Sequence, residues 1–166
     1  MAWRLLSSRV GLLALALLTA GCYLRDVRWT PVRPPRGADA REYVVITTGY
    51  CPCGLCCNWR RNWLGRAVIA SGPDRGRHKA VGVTASGAAA RHGTIAADTS
   101  IFPFGTVMYV PGYGYGRVED RGGDIRGYHI DLYYSTHGEA QLHGRLKSRI
   151  KVWFPPGTAA GAPARR

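Results

Sequence analysis

The chain has 166 residues, which is room for one domain with appendages and excludes two full domains. Hydrophobic residues make up 46% and charged residues 20%, so a packed core is feasible and a wholly disordered chain is excluded. The formal charge of +13 is read either as general solubility or as a match to an anionic partner, whether nucleic acid, an anionic lipid surface or an anionic polymer.

The N-terminus chooses among these. Arg4 and Arg9 precede a short apolar run, Val10–Ala20, which ends at Gly21-Cys22. A positive flank, a short apolar core and small residues before a cut site predict a secretory signal peptide over 1–21. The run is too short to span a bilayer as a helix. Ala20-Gly21-Cys22 resembles a lipobox, with Thr19 where Leu is commonest, so Cys22 is the expected lipidation site and new N-terminus. Loss of the leader removes two positive charges and leaves +11. An exported protein of that charge meets lipid head groups and the cell wall, and nucleic acid is not an expected partner. Tyr23 rather than Asp follows Cys22, which favours the periplasmic face of an outer membrane.

Residues 22–41 are rich in Pro, Arg and small residues and read as a lipid-anchored tether, stiffened at Pro31, Pro34 and Pro35. Residues 155–166 (PPGTAAGAPARR) read as a disordered tail. The folded part is expected over 42–154.

Within it, Tyr43–Thr48 is β-branched and predicts a strand. Four cysteines follow in seven positions, Cys51, Cys53, Cys56 and Cys57. In an exported protein two disulfides are the first expectation, with Cys56 and Cys57 each reaching back to Cys51 or Cys53. A thiolate metal site is the second, disfavoured because structural zinc sites draw ligands from two separated knuckles and only one is visible, and free thiols are the third. No cofactor is otherwise expected. Trp59 and Trp63 lie among Arg60, Arg61 and Asn62, and are expected to plug one end of the fold rather than to line a sugar cleft.

Further strands are predicted at Val81–Ala85, Gly93–Ala97 and Thr106–Val110, the last ending at the Pro111-Gly112 turn. Gly116–Asp120, His129–Tyr134 and Ile150–Phe154 complete the set, with one helical patch over Thr136–Gly144 capped by Ser135 or Thr136. Short, closely spaced strands with Gly/Pro turns predict a mainly β fold, a small barrel with short helical segments.

Three aspartates sit at or in these strands. Asp131 is flanked by Ile130 and Leu132, a costly place for a carboxylate unless it is paired, hydrogen-bonded or protonated. A protonated carboxyl is what glycoside cleavage needs to protonate a leaving oxygen. Asp120 precedes Arg121 and reads equally as a turn residue or ion pair. Asp98, before Thr99-Ser100, reads equally as a turn cap.

The ordered set Gly93-Thr94-Ile95-Ala96-Ala97-Asp98, Phe102-Pro103-Phe104-Gly105-Thr106, Val118-Glu119-Asp120-Arg121-Gly122-Gly123, Ile125-Arg126-Gly127 and Ile130-Asp131-Leu132-Tyr133 resembles the 3D domain family, named for its three aspartates. The resemblance implies a six-stranded double-psi β-barrel over 42–154, related to the barrel of the membrane-bound lytic transglycosylase A family. It implies Asp131 as the catalytic acid, with Asp120 and Asp98 in the same cleft raising its pKa. Lys79 and Thr84 resemble the family's active-site lysine and substrate-side threonine, and Gly122 and Gly123 its substrate loop. Asp124 departs from the pattern, which more often has a small apolar residue there.

The implied reaction is lytic transglycosylation of peptidoglycan. An acid protonates the oxygen between N-acetylmuramic acid and N-acetylglucosamine, and the muramyl C6 hydroxyl closes on C1 to give a 1,6-anhydro end. A glycan hydrolase on the same scaffold and a non-catalytic peptidoglycan-binding envelope lipoprotein are the alternatives.

Overall fold

The computed structural model describes residues 31–158. The leader, Cys22 and residues 159–166 lie outside the described residues.

The elements run β1 (Arg41–Tyr50), α1 (Gly54–Cys57), β2 (Trp59–Arg61), β3 (Ala67–Ile69), β4 (Thr94–Ala97), β5 (Val107–Val110), β6 (Gly114–Asp120), β7 (His129–Tyr133), α2 (His137–His143) and β8 (Leu146–Trp153). Six strands close into a barrel in the order β1-β7-β4-β6-β5-β8. Two neighbouring pairs are parallel, β1 with β7 and β4 with β6, and the other four pairs are antiparallel. The expected closed, six-stranded, mainly β fold is borne out.

Alternation sets which side chains go inside. Along β1, Tyr43, Val45 and Thr47 are buried while Glu42 is exposed, the period-2 pattern of a half-buried strand. Ile130 and Leu132 of β7 point into the same core, with Ile95 and Ala97 of β4, Val118, Met108, Val110, Ile150 and Val152. Residues of the opposite parity, including Thr48, Ala96 and Asp131, are therefore turned out of the barrel interior. Strand β4 is buried throughout, because partners on both sides and packing on both faces leave no polar side.

Phe102, fully buried, fills the interior against Tyr43, Tyr128 and Phe154. The tryptophans do not take that role. Trp63 is 90% exposed, at the tip of a β2–β3 hairpin that the periodicity did not announce. The hairpin turn is built by Asn62, whose Oδ1 accepts the Leu64 and Arg66 amides, and by Gly65 at φ 74°. The strand expected at Val81–Ala85 is instead a turn: the Thr84 amide donates to the Ala88 carbonyl, and Val81 and Val83 are exposed.

Strand β8 begins four residues earlier than expected, because Lys147–Arg149 pair along β1 despite their charge. The helical patch is α2, with Thr136 at its N-cap in a complete capping box with Glu139. Before β1, Val32 is buried against Val107 and Trp153, and the Trp153 indole donates to the Ala38 carbonyl at 3.2 Å. Within the segment expected to be a tether, Val32 and the Ala38 carbonyl therefore touch the barrel, while residues 35–40 are exposed.

Candidate active site and cysteine cluster

Pairing brings two of the three aspartates together. Ala96 of β4 is the register partner of Asp131 on one side and of Asp120 on the other. Two strand spacings then separate the aspartate backbones by about 10 Å, with a methyl group between them. The second pairing depends on an irregularity: Ile95 faces Val118 but Ala96 faces Asp120, so Glu119 is an extra residue. The buried Glu119 carboxylate accepts from Thr94 Oγ1 at 2.9 Å and from Arg91 Nη2 at 3.0 Å. That ion pair holds the bulge which sets Asp120 beside Ala96.

Asp131 is half-buried. Burial is the main reason that its carboxyl is raised from 3.8 to about 6, and the Asp120 charge adds to it. Hydrogen bonds from Thr48 and from the Leu132 amide oppose the rise without cancelling it. Thr48 Oγ1, its register partner on β1, donates to Asp131 Oδ1 at 2.9 Å and lies 2.9 Å from His129 Nε2. A hydroxyl has one proton; if it goes to Asp131, His129 donates through Nε2–H to Thr48. Desolvation, then Arg145, lowers the His129 pKa, consistent with a neutral ring.

Asp120 is held by three donors. Its Oδ1 accepts the Ala85 and Arg121 amides, each at 2.9 Å, and Oδ2 accepts the Tyr50 hydroxyl at 3.2 Å. Tyr50 and Tyr133 pack edge to face over Ala96, forming one wall of the site. Burial first, and then Asp120, raises the Tyr50 phenol far above its ordinary range, so it stays a donor.

Asp98 makes the hydrogen bonds of a turn cap, one of its two expected readings. Its Oδ1 accepts the Ser100 amide and hydroxyl, and its Oδ2 accepts the Gly127 amide at 2.9 Å. Ser100 and then Gly127 lower its pKa. Its work is to close the turn after β4 and tie down the 122–127 loop. Thr84 is buried and spends its hydroxyl within its own turn, bonding the Ala88 amide and carbonyl and Ser86. That turn is itself docked on β6 by the Ser86 amide and by Ala85 on Asp120. Gly122 is required by packing, since a Cβ there would meet Ile125 Cγ1 at 2.7 Å, whereas Gly123 faces open space. Lys79 adjoins the site through Cys57, whose thiol is raised to about 11, first by burial and against the pull of the Lys79 charge.

Among the described residues Cys51, Cys53, Cys56 and Cys57 are free cysteines, without the two expected disulfides. Cys51 and Cys56 sulfurs are 3.7 Å apart, against about 2.05 Å for a disulfide bond. Cys57 turns away and donates to the Cys51 carbonyl. Cys51, Cys53 and Cys56 gather instead around His137, with all four ligand atoms within 4.8 Å of one another.

Sequence reasoning did not single out Thr48, Tyr50 or His129. His129 and Asp131 share strand parity, a signal that was present; Thr48 and Tyr50 become neighbours only through β1–β7 pairing.

Residues 93–154 match the model of the 3D domain family, so the resemblance carried by the motifs is borne out over that span. The putative cell wall shaping protein YabE of Bacillus subtilis is 34% identical over 58 residues, 35% of this chain and 14% of that protein. The cell wall-binding protein YocH of the same organism is 36% identical over 58 residues, covering 35% and 20%. The chain therefore spans a fifth or less of these curated relatives. Among solved structures, MltA from Escherichia coli, described as having a lytic transglycosylase fold, aligns over 48% of this chain and 30% of its own. The identity is 22% and the TM-score 0.38.

Proposed function

With a 3D domain over residues 93–154 as the premise, we propose that this chain is a cell-envelope enzyme that cleaves peptidoglycan glycan strands by lytic transglycosylation, with Asp131 as general acid and then general base. The observation that carries the reading is Asp131 itself, a carboxyl raised to about 6 in the middle of β7, facing out of the barrel with Asp120 on the far side of Ala96. At that value it keeps its proton up to about pH 6, well above an ordinary carboxyl, and can release it to a leaving glycosidic oxygen. The carboxylate left behind then takes the proton from the C6 hydroxyl as that oxygen closes on C1. No water is consumed, and the proton count on Asp131 returns to its start.

Thr48 steadies the carboxylate stage through its hydrogen bond and sets which Asp131 oxygen remains for substrate. Asp120 supplies a like charge that favours the protonated form of Asp131. Its oxygens already serve three donors, so it is poorly placed to activate water. This favours transglycosylation over the two-carboxylate hydrolysis that the same scaffold could host. The charge of +11 left after loss of the proposed leader suits an anionic wall, and the Cys22 lipid would hold the enzyme at the envelope, on the periplasmic face of the outer membrane.

A second reading, a module that binds the wall without cutting it, is favoured by the name of the relative YocH. Digestion of purified peptidoglycan followed by mass spectrometry of the released muropeptides separates the readings. Anhydromuramyl ends support transglycosylation and reducing ends indicate a hydrolase. Sedimentation of the protein with the wall, with no product, leaves the binding module.

A further inference from the structure

Three soft sulfur donors and one imidazole meet at a single point beyond the C-terminal ends of β1 and β7. These strands are parallel neighbours with Tyr50 paired to Tyr133, so the segments leaving them emerge at the same end of the barrel. Cys51 directly follows Tyr50, and His137 lies four residues beyond Tyr133. Cys53 caps α1, with its sulfur accepting the Cys56 amide at 3.5 Å, a compact knuckle that points Cys53 and Cys56 the same way. The Thr136–Glu139 capping box fixes the turn that carries His137. Gly49 lets α2 lie directly on β1, since a Cβ there would come within 2.7 Å of the Ala140 carbonyl.

The separations decide what the cluster fits. A tetrahedral zinc ion with ordinary zinc–sulfur and zinc–nitrogen bonds has edges of about 3.8 Å between sulfurs and about 3.5 Å between sulfur and nitrogen. The Cys51 and Cys56 sulfurs are 3.7 Å apart. His137 Nδ1 lies 3.8 Å from Cys51 Sγ, 3.5 Å from Cys53 Sγ and 3.4 Å from Cys56 Sγ. Three thiolates with one imidazole suit zinc, and they disfavour magnesium, calcium and manganese, which take oxygen ligands.

We propose that Cys51, Cys53, Cys56 and His137 form a structural zinc site that ties the ends of β1 and β7 together. Four protein ligands complete a tetrahedron and leave no open position for substrate or water, so the ion is structural. Binding releases the thiol protons, three in all when each sulfur is protonated beforehand, and leaves the site with one net negative charge. The tie joins segments more than 80 residues apart in the chain. Cys51 is 1% exposed and adjoins Tyr50, which bonds Asp120, so the ion steadies the wall of the proposed active site. Cys57 is not a ligand. The site stands whether or not the chain cuts glycan.

The test is metal content and thiol count on full-length protein purified from the envelope fraction without chelator. About one zinc per chain is expected, with four alkylatable cysteines besides Cys22 once the metal is removed under denaturing conditions. Substitution by cobalt(II) should give the sulfur-to-cobalt charge-transfer band and intense visible bands of a tetrahedral thiolate site. Cys53→Ser should lose most of the metal, Cys57→Ser should keep it, and His137→Cys should keep it with a shifted cobalt spectrum. The last two keep the test decisive if Cys53→Ser does not fold. A protein that holds no zinc and gives no tetrahedral spectrum with added cobalt overturns the proposal. So does one isolated with Cys51 and Cys56 joined as a disulfide, and so does equal metal loss in Cys57→Ser.

Discussion

Replacing Asp131 by Asn should make the folded protein more stable at neutral pH while removing its proposed activity. The rise of the Asp131 carboxyl from 3.8 to about 6 is a free energy of about 3 kcal/mol against the charged form in the native state. The folded protein holds the Asp131 proton more tightly than the unfolded chain does. Asp131 therefore costs nothing below about pH 4, and its contribution to stability is lost as pH rises to about 6. Asn keeps an oxygen to accept from Thr48 and carries no charge to desolvate. Urea denaturation of wild type and Asp131→Asn should thus give nearly equal stabilities at pH 4. At pH 8 the variant should be ahead by about 2–3 kcal/mol, or roughly 10 °C in Tm for a domain of this size. A difference that does not change with pH, or a variant less stable at pH 8, would refute the reasoning.

Glycan cleavage by the wild type should fall as pH rises through about 6, because the general acid is then lost; a pH profile of kcat/KM checks this. Thr48→Val removes a donor that favours the carboxylate, so the alkaline limb of that profile should move to higher pH with the fold intact. Gly49→Ala should destabilise by about 1–3 kcal/mol in urea titration, since its methyl group would press on the Ala140 backbone. Glu119→Gln should cost about 2 kcal/mol by the same assay, because it weakens the buried bonds to Arg91 and Thr94 that hold the bulge before Asp120.

The elements legible in the sequence are those whose local pattern and tertiary role agree. Tyr43–Thr48, Thr106–Val110 and His129–Tyr134 alternate or run apolar because barrel packing selects one parity, and each forms a strand close to its expected bounds. Val81–Ala85 has the same β-branched content but forms a turn, because its hydrogen bonds close locally around Thr84. The charged β8 start, Lys147–Arg149, carries no apolar signal and is placed by pairing with β1. At the site, Asp131 stands out since a carboxylate between Ile130 and Leu132 is costly. Asp120 needs the bulge at Glu119, which no spacing shows. The turn reading of Asp98 describes its hydrogen bonds. The cysteine cluster looked like a single knuckle because its fourth member, His137, comes from the other end of the chain. Only the parallel pairing of β1 with β7 brings it near.

The most direct test of the catalytic account is a side-by-side peptidoglycan digest by wild type and Asp131→Asn near pH 6, with both proteins verified as folded and anhydromuramyl ends counted by mass spectrometry. The account predicts these ends from the wild type and a loss of at least a hundredfold in the variant, in line with about 10²–10⁴-fold for a general acid–base group. Anhydromuramyl ends released at the wild-type rate by Asp131→Asn would contradict it.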